Sequence, residues 1–305
     1  MNNLTEKKKK LLVKKLVLGT AQVGSKYGIF NSSGFVDKDE VKKIIGLFSS
    51  VGCNFIDTAT DYPNSEKVLG KSNVKHFKII TKIPIKEVNL KFSGKYFIKK
   101  TINISLNKLK IKKLYGLLFR TPSKLLSENF KDYWDIAKEM QSLGHIEKLG
   151  VSIYDPDELE IILDRIKPEI VQVPFNIIDQ RIKNTGWLDL LYKKNIEVHA
   201  RSIFFQGILL KSKNLLIDKK NPCYGPWNNY HKWLTEQEIN NLDACLNFVL
   251  NEKKISKVIL GVDNHKQMQE ILNFKEKKIK KIININCNNT NLFNINYWKE
   301  NIKKK

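Results

Sequence analysis

The chain has 305 residues, with 54 Lys and Arg against 31 Asp and Glu, for a formal net charge of +23. A hydrophobic content of 42% excludes a disordered chain, because that much apolar surface offsets chain entropy when it is buried. No run approaches the ~18 apolar residues of a spanning helix. The first 22 residues hold a basic stretch without an apolar core leading to a cleavage site, so a soluble, cytoplasmic protein without a secretory leader or membrane partner is expected.

In chain order, short apolar runs alternate with longer amphipathic ones. A strand at Leu16–Gly19 is followed by a helix at Asp37–Ser50, which opens on an acidic cap and repeats Val41, Ile44, Ile45 and Phe48 at helical spacing. Next come a strand at Asn54–Asp57 and a helix at Ser65–Gly70, then Lys78–Lys82 with Lys95–Leu109, and Tyr115–Phe119 with Phe130–Leu143. The second half continues with Lys148–Ser152 and Asp155–Ile166, Ile170–Val173 and Trp187–Lys194, Glu197–Ala200 and Glu236–Glu252, and Lys257–Gly261 and His265–Phe274. Continuous Ile, Val, Leu and Phe runs suit strands buried on both faces, as in a parallel sheet.

Eight strand–helix units point to an α/β protein, a (β/α)8 TIM barrel forming a single domain over 1–305, with the barrel at about 16–272 and a tail at 273–305. An open doubly wound sheet would carry GxGxxG after its first strand, and the chain has Gly19-Thr-Ala-Gln-Val-Gly24 there. One segment, Phe205–His231, interrupts the rhythm and reads as a functional or mobile loop, with Tyr224, Trp227, Tyr230 and Trp233 in or just beyond it available to shape a pocket or to pack on the barrel.

Only four of the basic residues are arginine: Arg120, Arg165, Arg181 and Arg201. The lysines are scattered over most predicted helix faces, a pattern of biased codon usage, whereas nucleic-acid readers cluster arginine and aromatics on one element. No nucleic-acid partner is expected. Cys53, Cys223, Cys245 and Cys287 form no CxxC pair and the histidines are dispersed, so reduced thiols and no metal site are expected.

In a barrel, function sits at the C-terminal strand ends. Asp57 ends the second predicted strand and Lys82 the third, and Tyr62 follows Asp57 by five residues. A carboxylate beside an ammonium keeps both charged, and a cation near a phenol favours the phenolate, so Tyr62 is expected to have a lowered pKa. Such a tyrosine hands a proton to a carbonyl oxygen while hydride reaches the carbon.

The run Asp57-Thr-Ala-x-x-Tyr62-x-x-Ser65-Glu66-x-x-Leu69-Gly70, with Lys82 following, resembles the signature of the aldo-keto reductase family. The opening Leu18-Gly-Thr-Ala-Gln-x-Gly24-x-x-Tyr27-Gly-Ile-x-Asn31 is similar to bacterial members associated with carbohydrate metabolism, and Gly150-Val-Ser152, Gln172-Val-Pro-Phe-Asn176 and His199-Ala-Arg201-Ser202-x-Phe-x-Gln206-Gly207 resemble later strand ends. The resemblance runs from about Leu16 to Leu272. It implies an NAD(P)H-dependent oxidoreductase that reduces an aldehyde or ketone on a small molecule, with Asp57, Tyr62 and Lys82 as catalytic residues and Tyr62 as proton donor. It also implies that Ser152 and Gln172 hold the nicotinamide carboxamide, that Arg201 stacks on the ring, that Gly19, Thr20, Ser202, Gln206, Gly261, Lys266, Gln267 and Glu270 contact the cofactor, and that Gln22 and Tyr27 contact substrate.

Two positions depart from the family pattern. The fourth catalytic position, a histidine in most members, aligns with Arg120 in Leu117-Leu-Phe119-Arg120-Thr121-Pro122. An arginine there can grip an anionic group bidentately, which suggests a sugar-derived or acidic carbonyl substrate. Alternatively, Arg120 marks a catalytically impaired, nicotinamide-nucleotide-binding regulatory protein. At the far end of the cofactor, Gln267 stands where members carry an arginine for the 2′-phosphate and Asp263 would repel that phosphate. NADPH is then expected only as the family default, with NADH also open.

Overall fold

The computed structural model describes residues 9–31, 34–85, 94–127, 132–213, 217–277, 279 and 290–302. The apolar runs become β1 (Leu16–Gly19), β2 (Phe55–Asp57), β3 (Lys78–Pro84), β4 (Leu114–Arg120), β5 (Ile146–Ser152), β6 (Ile170–Pro174), β7 (Glu197–Arg201) and β8 (Lys257–Leu260). All eight are parallel, and they form a closed barrel in sequence order. Leu16, Val17 and Leu18 of β1 pair with Val258, Ile259 and Leu260 of β8 to complete the ring. The expected (β/α)8 architecture is therefore the observed one.

The helices follow the same alternation: α1 (Lys38–Ser50), α2 (Ser65–Gly70), α3 (Gly94–Leu109), α4 (Asp132–Ser142), α5 (Glu158–Arg165), α6 (Arg181–Asn184), α7 (Trp187–Lys193), α8 (Tyr224–Glu236), α9 (Asn241–Leu250), α10 (His265–Leu272) and α11 (Ile295–Asn301). The Asp37 carboxylate caps α1 by accepting from the amides of Asp39 and Glu40, each at 2.9 Å. Helix α1 buries the expected Val41, Ile44, Ile45 and Phe48. One apolar layer lies between strands and helices, and a smaller one, including Val17, Phe55, Ile80, Leu118 and Ile170, fills the barrel. Helix α2 lies so close to α3 that a Cβ on Gly70 would sit 2.0 Å from the Lys108 carbonyl oxygen, so only glycine permits this approach.

Three regions differ from the sequence reading. The expected helix Glu236–Glu252 is α9 and starts later, at Asn241: α8 ends at Glu236, Glu238 takes a left-handed φ of 48°, and Asn240 caps α9 by accepting from Asp243 N at 2.8 Å. Helix α8 occupies part of the segment read as a loop, because Trp227, Tyr230, His231, Trp233 and Leu234 recur at helical spacing and bury one face. The tail, without clear periodicity in sequence, carries α11, whose Trp298 is fully buried against Trp227 and Phe205. Phe130, at the start of one predicted helix, and Cys287 lie outside the described residues. Cys53, Cys223 and Cys245 are buried, and Cys53 and Cys245 are free thiols. Among the described residues, no helix is long and apolar enough to cross a membrane, and no group of His, Cys, Asp or Glu is placed to hold a metal.

The N-terminal strand ends carry a polar closure. Glu197 accepts hydrogen bonds from Tyr115 Oη at 2.6 Å and His199 Nε2 at 2.9 Å, and pairs with Lys148. Burial alone would raise the Glu197 carboxyl, but the bonds from His199, Lys148 and Tyr115 outweigh it and bring it down to about 2. A carboxyl held below its unfolded value contributes stability that is present above the unfolded pKa and lost as pH falls through the folded one. The urea midpoint of the wild-type protein should therefore fall between about pH 4.5 and 2, with a shallower slope in Glu197→Gln.

Candidate active site

Consecutive strand ends at the C-terminal mouth place the reactive side chains side by side. Asp57 closes β2, and Lys82 lies near the end of β3. Arg120 ends β4 in register with Ser152 of β5, and Ser152 is in register with Gln172 of β6. Lys82 is buried and its ammonium pairs with Asp57 Oδ1 while donating to the Thr58 carbonyl at 2.8 Å. The other Asp57 oxygen accepts from Gln172 Nε2 at 2.8 Å. Ser152 Oγ donates to Gln172 Oε1 at 3.5 Å, a long bond that leaves both groups open to a better partner. Burial lowers the Lys82 pKa, and Asp57 opposes that shift.

Tyr62 stands on the loop between β2 and α2. Ser65 Oγ donates to Thr20 Oγ1 at 2.9 Å and lies 3.0 Å from Thr58 Oγ1. Glu66 accepts from Thr81 Oγ at 2.9 Å and Ser105 Oγ at 2.5 Å. The Ser65–Glu66 part of the signature thus fastens the loop. Lys82 Nζ lies 5.6 Å from the Tyr62 ring centre and the Arg120 guanidinium also lies at 5.6 Å. Among the described residues, none hydrogen-bonds Tyr62 Oη.

The expected acidification of Tyr62 is not observed. Burial pushes its pKa well above the ordinary phenol value and the Asp57 charge adds to this, while Arg120 and Arg201 pull it down without prevailing. Lys82 is neutralised by its own partner, and Arg120 is paired with Asp61, whose charge also raises Tyr62. The phenol is therefore protonated throughout the neutral range. Asp61 was missed in the sequence. The signal was its place beside Tyr62, where Arg120 needs a counter-ion.

Every expected site residue except Lys266 lines one cavity of about 430 Å³ that extends from Tyr62, Ser152 and Gln172 to Gly261, Asp263, Gln267 and Glu270. Lys266 is exposed on the first turn of α10 and does not line it. Arg201 lies over the Tyr154 ring at 4.5 Å and donates to the Ile153 carbonyl at 2.8 Å. Across the mouth, Gln206 Nε2 donates to Tyr27 Oη at 3.3 Å and Lys211 lies 4.3 Å from the Phe30 ring centre, which joins the loops after β7 and β1. Phe205, Gln206 and Gly207 are all left-handed, at φ 47°, 52° and 88°, and Phe205 rests edge-on against Trp298 at 6.0 Å. Tyr154, Lys211 and Phe30 were not found from sequence.

The residues present fit a nicotinamide coenzyme. Gln206 Oε1 and Arg120 Nε are buried without a partner in this wall, which is a state a polar ligand relieves. Ser152 Oγ and Gln172 Oε1, only weakly bonded to each other at 3.5 Å, offer a donor and an acceptor that a carboxamide can use.

A parallel barrel with phenol, ammonium and carboxylate gathered at its C-terminal mouth is the architecture of enzymes that reduce small carbonyl compounds with nicotinamide coenzymes. The Aldo/keto reductase family model matches residues 15–284, and the chain belongs to that family. Among solved structures, an aldo-keto reductase from Bacillus halodurans in holo form is similar at 17% identity and a TM-score of 0.68, over 95% of this chain and 92% of that one. A putative aldo-keto reductase from Pseudomonas aeruginosa is similar at 17% identity and a TM-score of 0.63, over 85% of this chain and 88% of that one. No curated protein matches the sequence.

Lys82→Met leaves the Asp57 carboxylate buried with no counter-ion. The variant should lose about 3–5 kcal/mol of unfolding free energy, measured by urea denaturation, and Asp57→Asn combined with Lys82→Met should recover part of that loss.

Proposed function

We propose that this protein reduces an aldehyde or ketone carrying an acidic group near the carbonyl, on a sugar-derived or similar small metabolite, with Tyr62 as proton donor. The observation that carries this reading is the Tyr62 hydroxyl, which faces the cavity beside the Asp57–Lys82 pair without a hydrogen bond to any described residue. A bound nicotinamide coenzyme, NADH or NADPH, supplies the hydride. The raised pKa keeps Tyr62 in its acid form, so Oη hydrogen-bonds the carbonyl oxygen and transfers its proton as negative charge develops there. The cations of Arg120 and Arg201 stabilise the phenolate left behind until solvent returns the proton.

Arg120 takes the place of a neutral donor. Its Nη2 is engaged by Asp61 and its Nε is buried and unpartnered, so a substrate carboxylate or phosphate completes the guanidinium's bonding. Arg201, backed by Tyr154, presents a second planar cation to the coenzyme ring. The free, buried thiols of Cys53 and Cys245 suit a reducing compartment, which favours a cytoplasmic site of action.

Turnover of coenzyme with a panel of aldehydes and ketones, followed by absorbance, tests this reading. Tyr62→Phe should lower kcat by about 10²–10⁴ while tryptophan fluorescence still reports coenzyme binding. Among matched pairs, the acidic carbonyl should show roughly tenfold higher kcat/KM than the neutral one, a preference that disappears in Arg120→Leu. Coenzyme binding without turnover of any carbonyl would support a regulatory nucleotide binder instead, as would a large rate gain in Arg120→His.

A further inference from the structure

The part of the cavity wall that follows β8 is acidic. Asp263 and Glu270 both line it, together with the neutral side chains of Gln267 and Asn31. Asp263 Oδ1 accepts from Asn31 Nδ2 at 3.2 Å and Oδ2 faces Gln267 Nε2 at 3.5 Å, while Gln267 Oε1 accepts from the Asp263 amide at 2.8 Å. Among the described residues, no Lys or Arg pairs with Asp263 or Glu270. The lining contains two ammonium groups: Lys82, buried at the Tyr62 end, and Lys211, which lies over the Phe30 ring.

The adjoining first turn of α10 would ordinarily attract an anion through its free amides. Here two of those amides are occupied. Asn264 Oδ1 accepts from Gln267 N at 2.9 Å. Glu40 reaches over from α1, and its Oε1 accepts from His265 N at 2.5 Å and from His265 Nδ1 at 2.6 Å. The helix end thus carries its anion within the protein.

NADPH differs from NADH by a phosphate on the adenosine 2′-oxygen, close to two negative charges at neutral pH. With the nicotinamide ring at Tyr62, Ser152 and Gln172, an extended dinucleotide would run along this lining, and its adenosine would meet the wall after β8. We propose that Asp263, with Glu40 filling the α10 terminus, makes this protein select NADH over NADPH. The proposal rests on the carbonyl-reductase reading above and names which coenzyme that site takes. The surplus of lysines draws both coenzymes toward the protein, so the discrimination arises from this local wall, where one coenzyme meets unpaired carboxylates and the other presents a neutral ribose hydroxyl that Asp263 can accept from.

Titration of the protein with NADH, NADPH, 5′-ADP and 2′,5′-ADP, read by tryptophan fluorescence or calorimetry, tests this without turnover. NADH should bind about tenfold or more tightly than NADPH, and 5′-ADP should exceed 2′,5′-ADP by a similar ratio. Asp263→Asn, which keeps the shape and removes the charge, should strengthen NADPH binding by about tenfold, and Glu40→Gln should add to that gain. Circular dichroism checks that both variants fold. Equal or tighter binding of NADPH by the wild-type protein, or an unchanged ratio in folded variants, overturns the selection while leaving the reductase reading intact. Binding of neither coenzyme overturns both.

Discussion

The buried pair between Asp57 and Lys82 is the constraint on which the mouth of this barrel depends. Taking two charges out of water is costly, and the cost is offset only when each finds further partners. Asp57 uses both oxygens, one for Lys82 and one for Gln172, and Lys82 also donates to the Thr58 carbonyl. One carboxylate therefore ties β2 to β3 and β6, and sets the position of the Gln172 amide along with that of the ammonium. The same arrangement explains why Tyr62 is a stronger base in its ionised form than an isolated Lys–Tyr contact would make it. The ammonium is satisfied before the phenol is reached, and burial then dominates.

Charge around the cavity is uneven. Arg120 and Arg201 line it at the ends of β4 and β7, and Asp263 and Glu270 line it after β8. This unevenness is separate from the overall excess of lysine, because among the described residues only Lys82 and Lys211 are lysines of the lining. A net charge of +23 says little about what either part of the pocket prefers.

Much of the fold was legible, because each strand is a short continuous apolar run and each run has a helix with a buried stripe behind it. The Asp57–Tyr62–Lys82 spacing was legible for the same reason: strand ends can be counted. The misreadings have specific causes. The late start of α9 was marked by Asn240 as a cap, but Glu236 was read as its first residue, and the aromatic stripe of α8 before it was read as a loop. The direction of the Tyr62 shift depends on burial and on the pairings of Lys82 with Asp57 and Arg120 with Asp61, and sequence separation reveals neither. The role of Glu40 depends on α1 and α10 lying side by side, a contact between residues 225 positions apart.

Closure of the barrel has a consequence for how the chain reaches this state. Strand β1 finds its second neighbour only in β8, so Leu16 waits for Val258 before its backbone is fully paired. During synthesis from the N-terminus, the exposed edge of β1 persists while most of the remaining polypeptide emerges, and loop closure across that separation is slow. An unpaired apolar edge is a template for intermolecular pairing. The nascent protein is therefore most vulnerable to aggregation in the interval before its last strand leaves the ribosome, and least so once the cylinder has sealed.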